Sequence, residues 1–215
     1  MRRVRSSHRH SEPGPGRLPD TPGRPAAARR RLLRGLAAVP LAAAGPAWAA
    51  WPAPLLATLR AGGCVVLLRH ALTDPGVGDP PGFRLDDCAT QRNLSAQGRA
   101  QARALGVALA DARVPLGPVR SSRWCRCLDT AQLAFGRVEP WPVIDSFFRD
   151  RDRESAQTTE LRRWAQAWRG PDNAMLVTHQ VNVTALSGEF VSMGEALVLR
   201  PGADGLRVIG RAGAG

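Results

Sequence analysis

Two short apolar runs constrain this chain more than any other feature. One is Cys64-Val65-Val66-Leu67-Leu68, the other Ala174-Met175-Leu176-Val177-Thr178. Neither alternates apolar with polar residues, and both contain β-branched members, so each has the pattern of a strand covered on both faces. Such strands occupy the middle of a mostly parallel sheet with helices on either side. Each run stops abruptly at polar residues, Arg69-His70 in one case and His179 in the other.

The intervening sequence supplies the covering helices. Residues 55–61 read as a short helix closed by Gly62-Gly63. Residues 72–93 form a long loop rich in Asp, Pro and Gly. Ser95 then caps an amphipathic helix over 97–110 whose apolar members are Ala100, Ala104, Leu105, Ala108 and Leu109. A short strand and turn at 118–122 precede a helix over 126–135. Residues 141–155 are irregular and charged, and 158–168 are helical up to Gly170-Pro171. A further helix lies near 183–186, and a hairpin turns at 201–205 between strands at 196–200 and 206–209. Strands alternating with helices predict a three-layer α/β/α sandwich with a mostly parallel central sheet, built as one domain over residues 50–215.

The formal charge of +12 would point to nucleic acid if it were evenly spread. It is not. Residues 1–34 hold ten arginines against Glu12 and Asp20, whereas residues 50–215 hold 20 arginines against 16 acids. Residues 1–28 have the composition of a disordered leader. Arg29-Arg30-Arg31 follows, then an apolar run and Ala47-Trp48-Ala49, the order of an export signal with cleavage near Ala49. The paired arginines before Leu32-Leu33 resemble a twin-arginine signal. A membrane anchor fits less well, because Pro40 and Pro46 interrupt a run shorter than the about 20 residues a span requires. The mature chain is therefore expected in the periplasm or otherwise exported, with no transmembrane segment and no nucleic-acid partner.

Export permits disulfides. Cys64 opens a buried strand and is expected to be free, while Cys88 is expected to bridge to Cys125 or Cys127. The spacing of the four cysteines is not that of a zinc site, and no metal or other cofactor is expected.

In open α/β folds, ligands collect beyond the C-terminal ends of the strands. Three such ends carry Arg69-His70, then Ser121-Ser122 followed by Arg123 and Arg126, then Thr178-His179. Guanidinium forks match the oxygens of a phosphoryl group, and a neutral imidazole can attack phosphorus to form a phosphohistidine that water later cleaves.

These residues also resemble a family. Leu67-Leu68-Arg69-His70-Ala71 is similar to the signature of the histidine phosphatase, or phosphoglycerate-mutase-like, superfamily. Ser121 to Ala131, with Arg126 ahead of Thr130-Ala131, resembles its second block, and Leu176-Val177-Thr178-His179 its late block. The resemblance implies a phosphoglycerate-mutase-like fold with His70 as nucleophile and Arg69, Arg126 and His179 as the phosphate pocket. Arg92, Asn93 and Gln180 are expected to contact substrate, with Arg123 as an accessory. The proton donor is open among Asp150, Asp152, Glu154 and Asp145. Asn182 either faces the site or caps a helix. Asp86 and Asp87 either meet sugar hydroxyls or tether their own loop. Gly78-Asp79-Pro80-Pro81-Gly82-Phe83, the stretch from Asp86 to Ser95, Trp124-Cys125-Arg126-Cys127 and the stretch from Thr178 to Leu186 further resemble an exported subgroup related to phosphatases of lipopolysaccharide core heptose. The implied partner is a small phosphorylated molecule or phosphosugar, extending to an envelope glycolipid. Two alternatives stand beside this: a mutase-type phosphotransferase, and a phosphate-binding protein without turnover.

Overall fold

The computed structural model describes residues 51–213. The leader and export signal expected over residues 1–49 lie outside the described residues. Among the described residues, six strands form one sheet: β1 (Val65–Arg69), β2 (Leu116–Ser121), β3 (Glu139–Pro140), β4 (Asn173–Thr178), β5 (Glu195–Gly202) and β6 (Gly205–Gly213). Their spatial order is β3-β2-β4-β1-β5-β6. The first four are mutually parallel, whereas β5 runs antiparallel to both β1 and β6. This is the expected three-layer α/β/α sandwich.

The two apolar runs lie side by side as β1 and β4, with Val65 opposite Ala174 and Arg69 opposite Thr178. Side chains alternate across the sheet. Val66, Leu68, Met175 and Val177 therefore face one layer, formed by α1 (Ala53–Arg60), α2 (Ala96–Asp111) and α3 (Cys125–Phe135). Val65, Leu67, Ala174 and Leu176 face the other, formed by α4 (Glu154–Ala167) and α5 (Gln180–Ser187). Covering on both faces is why neither run needed a polar alternate. No helix among the described residues is long and apolar enough to cross a membrane.

Several boundaries differ from the sequence expectation. α4 begins at Glu154, inside the stretch expected to be irregular, because its first turn carries no large apolar residue to mark it. Its anchor there is the buried Gln157, whose amide nitrogen donates to the carbonyls of Pro142, Val143 and Asp145. Single 3₁₀ turns at Pro142–Ile144 and Arg151–Arg153 order the rest of that stretch. α5 starts directly after His179, earlier than expected. The final hairpin is tighter, since Pro201 pairs with Leu206 and Gly202 with Gly205, leaving Ala203-Asp204 as the turn.

Two features fix the loop that leaves β1. Gly98 on α2 lies so close to this loop that a Cβ there would fall 1.8 Å from the Leu72 carbonyl oxygen. A disulfide joins Cys88 to Cys125, with 5.7 Å between Cα atoms, tying the long loop to the first residue of α3. Cys127, the alternative partner, is a buried free thiol, as is Cys64.

Candidate active site

The parallel register brings three strand ends to one level. The backbone N–H of His70 donates to the Thr178 carbonyl at 3.0 Å, and that of Ser122 to the Val177 carbonyl at 2.9 Å. His70, His179 and the start of α3 consequently share the C-terminal edge of the sheet. The two imidazole rings are 5.5 Å apart, edge to face, and both are buried.

His70 is held in one tautomer. Its Nδ1 lies 2.9 Å from the Ala71 carbonyl oxygen. A carbonyl only accepts, so Nδ1 carries the proton and Nε2 keeps its lone pair. Burial, then the charge of Arg126, then those of Arg69 and Arg92 push the imidazole down to about 3, against the weaker opposing effect of the Ala71 bond.

Behind the second imidazole runs a polar chain. The Ser122 hydroxyl lies 3.2 Å from Asp145 Oδ1 and 2.8 Å from His179 Nε2. With the hydroxyl donating to the carboxylate, Nε2 of His179 is the protonated nitrogen. The backbone N–H of Arg123 also donates to Asp145, at 2.8 Å, as do Nε and Nη2 of its guanidinium at 2.8 and 2.6 Å. Burial chiefly, followed by Arg126, His70, Arg69 and Arg92, holds His179 well below its ordinary value. The Cys127 thiol, 3.5 Å from His179 Nε2, is pushed up to about 12 by burial and is a poor nucleophile.

Three guanidiniums surround His70. Arg126 donates through Nη1 and Nη2 to the two oxygens of Asp79, at 2.7 and 3.3 Å. Asp79 also accepts from the Arg92 backbone N–H and from Trp124 Nε1, both at 3.0 Å. Burial alone would raise this carboxyl, but the Arg126 bond and charge, with those two donors, hold it below its ordinary value. Arg69 donates to the Val191 carbonyl at 2.8 Å and Arg92 to that of Gly76. The Nε–H groups of Arg69, Arg92 and Arg126 are all buried and have no partner among the described residues. Burial and mutual repulsion lower Arg69 and Arg92, so the cluster is short of negative charge.

These groups form the floor of a cavity of about 450 Å³. Of the sequence-derived candidates, His70, Arg69, Arg126, His179, Arg92, Gln180 and Asp150 line it. The others do not meet there. Arg123 is turned to Asp145, which is itself fully buried. Asn93 donates from its amide nitrogen to the Cys88 carbonyl, Asn182 to that of Asp145, and Glu154 is paired with Arg151 at 2.6 Å. Asp152 does not reach the cavity wall. Asp86 and Asp87 pair with Arg84 in their own loop.

Sequence reasoning gave no site role to Asp79, Trp124 or Arg149, although the first two lie in segments that resemble the exported subgroup. Asp79 sits in a Gly/Pro-rich loop, 47 positions from the arginine it neutralises, and loops carry no periodicity to single it out. Arg149, in the same charged stretch as Asp150, donates to the Asp79 and Pro80 carbonyls, closing one loop over the other.

Several solved structures share this fold. A mycobacterial glucosyl-3-phosphoglycerate phosphatase in complex with VO3 is 19% identical, covers 72% of this chain and 100% of its own, and superposes with a TM-score of 0.53. The protein histidine phosphatase SixA complexed with tungstate is 12% identical, with coverage of 70% and 96% and a TM-score of 0.51. A protein described as the phosphohistidine phosphatase SixA of Agrobacterium tumefaciens is 26% identical, with coverage of 71% and 99% and a TM-score of 0.48. No curated protein matches the chain. Residues 65–180, more than half of the sequence, match the histidine phosphatase superfamily (branch 1), and the chain belongs to that superfamily.

Proposed function

We propose that this chain is a phosphomonoesterase working through a phosphohistidine on His70. The observation that carries it is the lone pair of His70 Nε2 set among three guanidiniums whose buried Nε–H groups are unpartnered. A phosphoryl dianion supplies the negative charge that this arginine cluster lacks. In the first half-reaction the Nε2–P bond forms as the ester P–O bond breaks, and the released alkoxide takes a proton. In the second, water attacks phosphorus, the P–N bond breaks, and His70 regains its lone pair as inorganic phosphate leaves.

The floor residues divide the work. Arg69, Arg92 and Arg126 hold the equatorial oxygens, where charge spreads during transfer. Asp79 is a positioning residue that keeps the Arg126 fork in place. His179 is depressed by burial and by those same cations. An arriving dianion offsets the cations, so His179 takes up a proton and donates to a phosphoryl oxygen. Of the four acids considered from sequence, Asp150 lines the cavity and is our candidate for protonating the leaving group. The relatives holding VO3 and tungstate bind oxyanions of the same chemical class on this fold. We place the reaction outside the cytoplasm, on the strength of the export signal read in residues 29–49.

The test is intact-protein mass spectrometry of residues 50–215, quenched seconds after mixing with phenyl phosphate. An acid-labile phosphate adduct, absent from His70→Ala, is the expected result. No adduct in either protein, together with no phosphate released over hours, would instead favour a phosphate binder without turnover.

A further inference from the structure

The floor of the cavity is built for an anion, but its walls are not. Val77, Phe83, Trp124, Phe148, Val181 and Met193 line the space between His70 and solvent. Val77 and Phe148 are 88% and 56% exposed, so both present apolar surface at the lining of the cavity. Phe83 and Trp124 stand 5.8 Å apart at a tilt of 39°, one aromatic wall, with Phe148 also on the lining.

Of the polar groups on the lining, Gln180, Trp124 and Arg149 are already committed, while Ser146, Asp150 and Arg153 lie outside the apolar wall's own residues. Gln180 donates from its amide nitrogen to Thr184 and to the Glu189 carbonyl, and accepts from Val191 N–H through its oxygen. Trp124 Nε1 is spent on Asp79, and Arg149 on two backbone carbonyls. A polyol lying against Val77, Phe83, Phe148 and Met193 would lose its water there without finding replacement hydrogen bonds, whereas an apolar group would lose only unfavourable hydration. We infer that the leaving group of the natural substrate is apolar and flat, an aromatic alcohol rather than a sugar. This rests on the phosphomonoesterase reading and narrows it, away from the phosphosugar suggested by sequence resemblance.

Aryl phosphates react fast on many phosphatases because phenols are good leaving groups, so the test must hold leaving-group chemistry constant. Benzyl phosphate and glycerol 3-phosphate both release primary alcohols. Their kcat/KM values are compared on residues 50–215, alongside the binding of benzylphosphonate and 3,4-dihydroxybutylphosphonate, which cannot turn over. We expect benzyl phosphate to be preferred at least tenfold, mainly through KM, and benzylphosphonate to bind at least tenfold tighter than the diol. Phe148→Ser should cut both preferences about threefold or more. Equal or reversed preferences with phosphate still released would overturn the apolar class and leave the phosphatase intact. If no ester is hydrolysed, the enzymatic reading fails, and the phosphonate pair alone decides whether the pocket prefers apolar groups.

Discussion

His70 and His179 are neutral imidazoles buried beside arginines, and this has a cost that shows in stability. In the unfolded chain each titrates near 6.5, while in the folded chain His70 stays neutral down to about 3 and His179 is likewise depressed. Between those values the unfolded state binds more protons, so stability falls as pH falls. The loss starts below pH 6.5 and, for His70, ends near pH 3. For His70 it amounts to about 1.4 kcal/mol per pH unit within that window. Urea midpoints measured from pH 7 to pH 4.5 should therefore decline, and His70→Asn, which keeps a donor for the Ala71 carbonyl, should flatten the slope. An unchanged slope would mean that the imidazole is protonated in the fold. The two histidines were legible because each follows an apolar strand, where a polar residue must lie at the sheet edge. Asp79 was not. Its importance comes from meeting Arg126 in space, and an isolated acid in a Gly/Pro loop looks the same whether it binds a buried cation or water.

The same contrast holds for elements. β1 and β4 were readable from their unbroken apolar character, and α2 from Ser95, whose hydroxyl accepts from Gly98 N–H at 3.0 Å. The start of α4 was hidden because it is fixed by the Gln157 amide, and burial of one polar side chain leaves no pattern in sequence. The long loop from β1 to α2 matters most, because it delivers Asp79 and Arg92 to an arginine on α3. Its principal covalent restraint is Cys88–Cys125, which spans 37 positions. Closing a loop of that length stabilises by about 4 kcal/mol in the chain-entropy account. The Cys88→Ala/Cys125→Ala double variant should melt at a clearly lower temperature and show a raised KM for phenyl phosphate, since the Asp79–Arg126–Arg92 cluster loses its tether. A lowered melting temperature with unaltered KM would show that Gln91, whose side-chain oxygen accepts from Cys125 N–H at 3.0 Å, suffices to hold the loop.

At the scale of the whole molecule, the charge excess and the disulfide bear on one question, where the chain is meant to fold and act. Most of the +12 lies ahead of Leu32, and the body from residue 50 onward carries +4, a field suited to drawing in anionic esters rather than wrapping a polyanion. Cleavage after Ala49 would leave one residue ahead of Trp51, which is buried in the core beside Leu55. A cut a few residues later would remove a core side chain. The Cys88–Cys125 bridge fits an oxidising compartment, in which such bonds persist. Expressed with its full sequence in a Gram-negative host, the protein should be recovered from the periplasm with Ala50 as its first residue and Cys88 and Cys125 oxidised. Replacing Arg30 and Arg31 by Lys keeps the charge but removes the arginine pair. It should leave an unprocessed cytoplasmic form in which all four cysteines react with alkylating agents after denaturation. If that variant is processed like the parent, the twin-arginine route is wrong and the signal is of the general secretory kind. If neither is processed, residues 29–49 are not an export signal, and the disulfide must form by another route.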